Sequence, residues 1–284
     1  MKLQFALGAA ALALMLPGQA LADCDITDAL LKQAYPDAQQ SENGLLIKGG
    51  AYDRSINPDD VVCKAWPYRP ELMLAAVPLI EAKPPIEGEN KGDVEIIIAD
   101  VATGNPVARR LEKGMAFSDA IQFGSMSLDT ARYDVGDGLR AFGLRTSQSG
   151  SSRVNPYEEQ ALWMYTFDKG RIERVLDGLI VERSNGENNG DCEGESTAVT
   201  RTVKLGPKVE LGYRDLTVEQ TVSHETSKKV AGECSFDKRP GKPARFELIY
   251  DNGHYRPAGG VKPQGEKGDI ETDLFSTIET GAKP

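Results

Sequence analysis

Histidine is nearly absent from this chain: His224 and His254 are the only two among 284 residues, and they lie 30 positions apart in different strand–turn contexts. A histidine-dependent hydrolase would have to rest on one of them. The short catalytic signatures are missing as well. There is no G-x-S-x-G nucleophile elbow, no H-E-x-x-H, no P-loop and no kinase set. No C-x-x-C occurs, which removes zinc-knuckle and thioredoxin chemistry. The run Asp134-Val135-Gly136-Asp137-Gly138 hints at a calcium loop, but Gly136 stands where an oxygen ligand is needed and no glutamate closes the motif. It reads as a β-turn, and the polar cluster over 185–191 reads as a solvated loop. No catalytic residue, cofactor or metal site is therefore expected.

Positive charge is also short. Lys and Arg number 33 against 43 Asp and Glu, a formal charge of −10. A balance of that sign repels nucleic acid and anionic headgroups, and it suits solubility or a basic protein partner. Past the first two dozen residues no long uncharged apolar run remains, so no membrane span is expected.

The N-terminus does carry a pattern. Lys2 precedes an apolar run over 5–16, and Ala20-Leu21-Ala22 forms a small-residue cleavage motif. This is the layout of a secretory signal peptide over 1–22. Asp23 before Cys24 is a poor match to a lipidation box, so a soluble mature chain starting at Asp23 is expected, in the periplasm or secreted. In that compartment the four cysteines, Cys24, Cys63, Cys192 and Cys234, read as two disulfides. Three pairings are open. Pairing between neighbours closes two loops of roughly 40 residues, each stabilising by about 4 kcal/mol on the chain-entropy model.

Turn signals recur between short apolar stretches. The pattern predicts a short N-terminal helix over 25–35, stopped by Pro36, and then strands over 44–48, 72–81, 94–99, 107–111, 127–133, 139–145, 161–167, 171–176, 197–205, 216–223 and 245–250. Pro78 inside the second of these predicts an edge strand or a bulge. The fold class that follows is mostly β: antiparallel sheets in a sandwich or barrel-like assembly with one short helix. The polar insertion over 184–195 is the best boundary, separating a β-rich stretch over 23–183 from a β-rich unit over 196–258 that can belong to the same domain. The tail over 259–284 is polar and expected to be loose.

Two clusters stand out as candidate binding residues. Arg132, Arg140 and Arg145, with Asp129, fall on adjacent predicted strands; they can grip an anion or form cross-strand ion pairs, and the second reading is favoured. Trp163 and Tyr165 lead an aromatic stripe that ends at Phe167. Such a stripe can bind sugar or anchor a partner, but apolar Leu162 and Met164 on the other face favour a buried strand. The segments Cys63-Lys64-Ala65-Trp66-Pro67, 129–133, 140–145 and 245–257 resemble uncharacterised exported β-rich proteins of Gram-negative bacteria. The resemblance implies a secreted β-rich domain and carries no catalytic residue with it. The function expected is a non-enzymatic binding or inhibitory protein, immunity-like, acting on a basic exported or envelope partner. The rivals are an envelope hydrolase with paired carboxylates and a glycan-binding module.

Overall fold

Two antiparallel sheets and one short helix account for nearly all of the ordered backbone in the computed structural model, which describes residues 27–260 and 270–278. The expected signal peptide and Cys24 lie outside the described residues. Helix α1 (Thr27–Ala34) buries Leu30, Leu31 and Ala34, the apolar face read from the sequence. No helix among the described residues is long and apolar enough to cross a membrane.

The first sheet has seven strands: β1 (Gln39–Ser41), β2 (Gly44–Ile47), β3 (Arg54–Ile56), β4 (Val62–Ala65), β5 (Leu72–Glu81), β6 (Gly92–Asp100) and β7 (Pro106–Glu112). β5 is not an edge strand. It pairs with β6 from Leu72 to Ile80, while its other side is shared by β4 against 73–76 and β3 against 80–81. Residues 77–79 have no partner on that shared side. Pro78 sits at this break, where a missing N–H costs little, so a proline survives inside a central strand. Side chains of β5 alternate between two buried faces. Met73, Ala75, Val77 and Leu79 pack with Leu30 and Leu31 of α1, and Leu72, Leu74 and Ala76 pack toward the second sheet.

The second sheet holds nine strands: β8 (Ile121–Gly136), β9 (Leu139–Gly150), β10 (Tyr157–Asp168), β11 (Arg171–Asn188), β12 (Gly194–Glu210), β13 (Tyr213–Val230), β14 (Glu233–Pro240), β15 (Ala244–Asp251) and β16 (His254–Pro257). β8 to β13 close into a six-stranded antiparallel barrel, with β12 paired to β13 along its length and Tyr213 of β13 meeting Gly136 of β8. β11 and β12 pair directly across the expected boundary, from Glu182 opposite Thr200 to Asn188 opposite Gly194. Only residues 189–193 remain as a loop there, and the stretches on either side share one sheet.

β10 explains how the two sheets join. Ala161, Trp163, Tyr165 and Phe167 pack against the first sheet, while Leu162 and Met164 join the cluster formed with Val175, Leu179, Leu216 and Val218. Gly178 permits this packing. Its φ is 66°, and a Cβ there would stand 2.7 Å from the Trp163 ring. A disulfide joins Cys192 to Cys234, the neighbour pairing among the three considered. Cys63 is disulfide-bonded too; its expected neighbour Cys24 lies outside the described residues.

The tail differs from expectation over 270–278. Phe275 bridges Leu179, Ile180 N–H donates to Leu274 O (2.8 Å) and Ser276 N–H donates to Gly178 O (2.8 Å). Ile270 and Leu274 are buried. Ile270 packs with Val199 and Val222, Leu274 and Phe275 join the cluster around Leu179, and Ile278 packs against the core between the sheets; that burial holds an otherwise polar segment in place.

Candidate functional site

The arginines singled out from the sequence are held by carboxylates. Arg145 donates through Nε and Nη2 to Asp129 (3.0 and 2.7 Å) and through Nη1 to Gln160 (3.1 Å). Asp129 also accepts from the Ala131 N–H and the Tyr133 hydroxyl. Burial pushes the Asp129 carboxyl up, but these donors outweigh it and hold the group below the usual carboxylate range. Arg140 donates to Asp134 at 2.6 Å and lies over the Tyr68 ring. Arg132 reaches only to 3.7 Å from Asp134, with its side chain 82% exposed. The three arginines therefore do not converge on a vacant anion cradle. Trp163 and Tyr165 are buried at 1% and 0% exposure, and the indole N–H donates to Thr146 Oγ1. Neither ring is presented to a ligand.

A hollow of about 420 Å³ lies instead where β9, β10, β11 and β12 run side by side. The register places Glu158 between Ser149 and Ser184, and Gln160 between Ser147 and Glu182. Thr200 and Ala198 follow on β12, opposite Glu182 and Ser184. Residues two apart share a face, so these side chains line one polar surface of small hydroxyls with carboxylates standing among them. Glu158 and Glu182 are exposed and have no hydrogen bond or ion pair among the described residues. Gln160, which accepts from Arg145 Nη1, lines the hollow.

Glu159 and Arg183, which also line the hollow, belong to a buried polar network that the sequence reading missed. Glu159 accepts from Tyr157 Oη (2.7 Å), from Arg183 Nε and Nη2 (3.0 and 2.5 Å) and from Ser276 Oγ. Arg183 also pairs with Asp273 at 3.3 Å. Arg201 is buried and donates to Gln220 Oε1 (2.7 Å), Ile180 O (3.1 Å), Ile270 O (3.3 Å) and Glu271 O (3.4 Å). It has no ion pair among the described residues. Burial, reinforced by the neighbouring Arg183 charge, pulls its guanidinium down to about 10. A signal for this site existed in the apolar spacing of Ile270, Leu274 and Ile278 within a polar tail.

A second buried ion pair, Arg174 with Glu112 at 2.6 Å, ties β11 to β7 between the sheets. Arg174 also reaches Asp177, which His254 approaches to 2.9 Å. His224 lies 3.7 Å from Glu271. Each histidine thus stands beside a carboxylate, and His224 Nδ1 also lies 3.1 Å from the Thr197 hydroxyl. Among the described residues no group of three or more His, Cys, Asp or Glu is placed to hold a metal ion. No protein-family model, no curated protein and no solved structure matches this chain.

Proposed function

We propose that this is an exported, non-enzymatic binding protein of the bacterial periplasm, and that a basic exported or envelope protein docks at the polar hollow of β9–β12. The observation that carries the reading is the pair Glu158 and Glu182, two exposed carboxylates without partners among the described residues, facing one concave surface. Nearby Asp129 is neutralised by Arg145, so the uncompensated charge of the hollow is negative. The chain's formal charge of −10 adds long-range attraction for a cationic partner. The Cys192–Cys234 disulfide fits an oxidising compartment. An inhibitory or immunity-like role follows if the partner is a lytic enzyme or toxin whose basic residues enter the hollow.

One observation favours a second reading, hydrolysis of a glycan by paired carboxylates. Glu158 and Glu182 are diagonal neighbours on adjacent strands, and side chains so placed have Cβ atoms roughly 7–8 Å apart or somewhat less. That spacing is compatible with an acid–base pair. Neither carboxylate is buried, however, and burial is what usually keeps a catalytic acid protonated.

Capture from an envelope extract separates the two. The immobilised mature protein should retain a basic partner at low salt and lose most of it at moderate salt. Glu158→Gln/Glu182→Gln should retain about tenfold less, in keeping with about 1.4 kcal/mol per decade of affinity. Equal retention by wild type and double variant contradicts the binding reading. Release of soluble glycan from purified peptidoglycan, abolished in the same double variant, would establish hydrolysis in its place.

A further inference from the structure

β14 is an edge strand lying in solvent. It pairs with β13 from Glu233 opposite Val230 to Pro240 opposite Ser223, and among the described residues no strand pairs with its other side. All eight of its residues are exposed. Phe236 sits near its middle with 65% of its surface open to water. An unpaired edge with an aromatic ring at its centre, where a blocking charge would otherwise stand, is the kind that accepts another strand.

The hairpin turn decides which groups that edge offers. Ala231 and Gly232 form a two-residue turn with φ of 52° and 91°, which makes Val230 and Glu233 a hydrogen-bonded pair. Glu233, Ser235, Asp237 and Arg239 therefore turn their backbone groups toward β13, as does Gly241, whose N–H donates to Val222 O at 2.8 Å. Cys234, Phe236 and Lys238 turn theirs outward. A second copy of β14 laid antiparallel on this edge must match outward residues to outward residues, so the two-fold axis relates some residue to itself. Centred on Asp237 the axis sets that carboxylate against its own copy, and centred on Ser235 it sets Glu233 against Asp237. Centred on Phe236 it sets ring against ring, Cys234 against Lys238, Ser235 against Asp237 and Glu233 against Arg239. The last pair falls at a non-hydrogen-bonded position, where facing side chains are closest. Arg239 holds Asp237 of its own strand through Nε and Nη2, and its Nη1 has no hydrogen bond among the described residues. Pro240, with no N–H to offer, falls just past the end of this ladder. The strand is also electrically balanced, with Glu233 and Asp237 against Lys238 and Arg239. Two copies can meet there without the like-charge repulsion that a formal charge of −10 otherwise sets between them.

We propose that β14 is a self-association edge: two copies of the chain pair their β14 strands antiparallel about Phe236, with Glu233 of each copy on Arg239 of the other. The arrangement joins the β13–β14 hairpins of the two copies into one continuous sheet. Once paired, neither β14 edge is left open, so assembly stops at two copies. No residue of β14 lines the hollow of β9–β12, so this inference stands apart from the function proposed above.

Sedimentation equilibrium of the oxidised mature chain over a concentration series is the test. One short ladder is a small interface, so a dimer dissociating at about 10–100 µM is expected. Arg239→Glu and Glu233→Arg each place like charges across the dimer, and each should weaken self-association at least about tenfold. Mixed in equal amounts, the two variants set Glu against Arg at both ends of the ladder, and the mixture should dimerise about as well as wild type. Phe236→Ser leaves the charges in place and should also weaken the dimer. All three positions are exposed, so the melting temperatures of the variants should match that of wild type. A wild type that stays monomeric up to about 1 mM overturns the proposal. So does a dimer that all three variants leave unchanged, or a mixture that associates no better than its folded components.

Discussion

Arg201 and Asp129 show how differently one fold treats its charges. Arg201 is buried with carbonyl partners, whereas Asp129 is half-shielded and accepts four hydrogen bonds from three residues. The folded Asp129 carboxyl lies below its unfolded value, so the unfolded chain binds the extra proton. Its stabilising contribution is present above the ordinary carboxylate range and is lost as pH falls through the folded value. The melting temperature of wild type should therefore fall on acidification below about pH 4, and Asp129→Asn should melt with a shallower acid limb. An unchanged slope would remove Asp129 from that account. At the same scale, Leu274→Ala should cost about 2–5 kcal/mol in urea unfolding, as expected for a fully buried leucine. A loss under about 0.5 kcal/mol, typical of surface sites, would mean that the tail is not packed as described. The Asp129–Arg145 ion pair was legible in the sequence because both residues sit on adjacent, strongly patterned strands. Arg183 and Arg201 were not, since the partners that make them important lie roughly 70–90 positions away in the tail.

Among the elements, those with a clear apolar run were legible and those without one were not. β6 and β10 are buried on both faces over most of their length; the expected 94–99 falls within two residues of the bounds of β6, whereas the expected 161–167 covers the apolar part of β10 and misses its polar start over 157–160. The far end of β11, and the whole of β14, are polar on the faces that solvent reaches, so no hydrophobic period marks them. β14 is exposed at all eight positions and is held by its ladder to β13 and by the Cys192–Cys234 bond. Pro78 misled for a related reason. The sequence reports the missing donor, but not that two short strands share one side of β5 and leave a break for it. The disulfide spans 42 positions, so Cys192→Ala/Cys234→Ala should lose about 4 kcal/mol of stability on the chain-entropy model. Hydrogen exchange should rise first in β14. Unchanged protection there would show that the ladder alone secures the strand.

For the whole molecule, burial is spent on joining a sheet to a barrel, with Trp66, Phe142 and Trp163 between them and α1 covering the far side of the sheet. The general class, antiparallel β with one helix, followed from turn spacing alone. Closure of the barrel did not, because it depends on β12 and β13 returning to β8 across more than seventy residues. What remains open to solvent on β9–β12 is a polar hollow with two carboxylates that have no partner among the described residues, on an acidic protein. The most direct test of the proposed role is the salt dependence of partner affinity, measured by titration for wild type and for Glu158→Gln/Glu182→Gln. Wild-type affinity should fall steeply as salt rises, and the double variant should be weaker at low salt with a flatter slope. Coincident curves for the two proteins would contradict docking at the hollow.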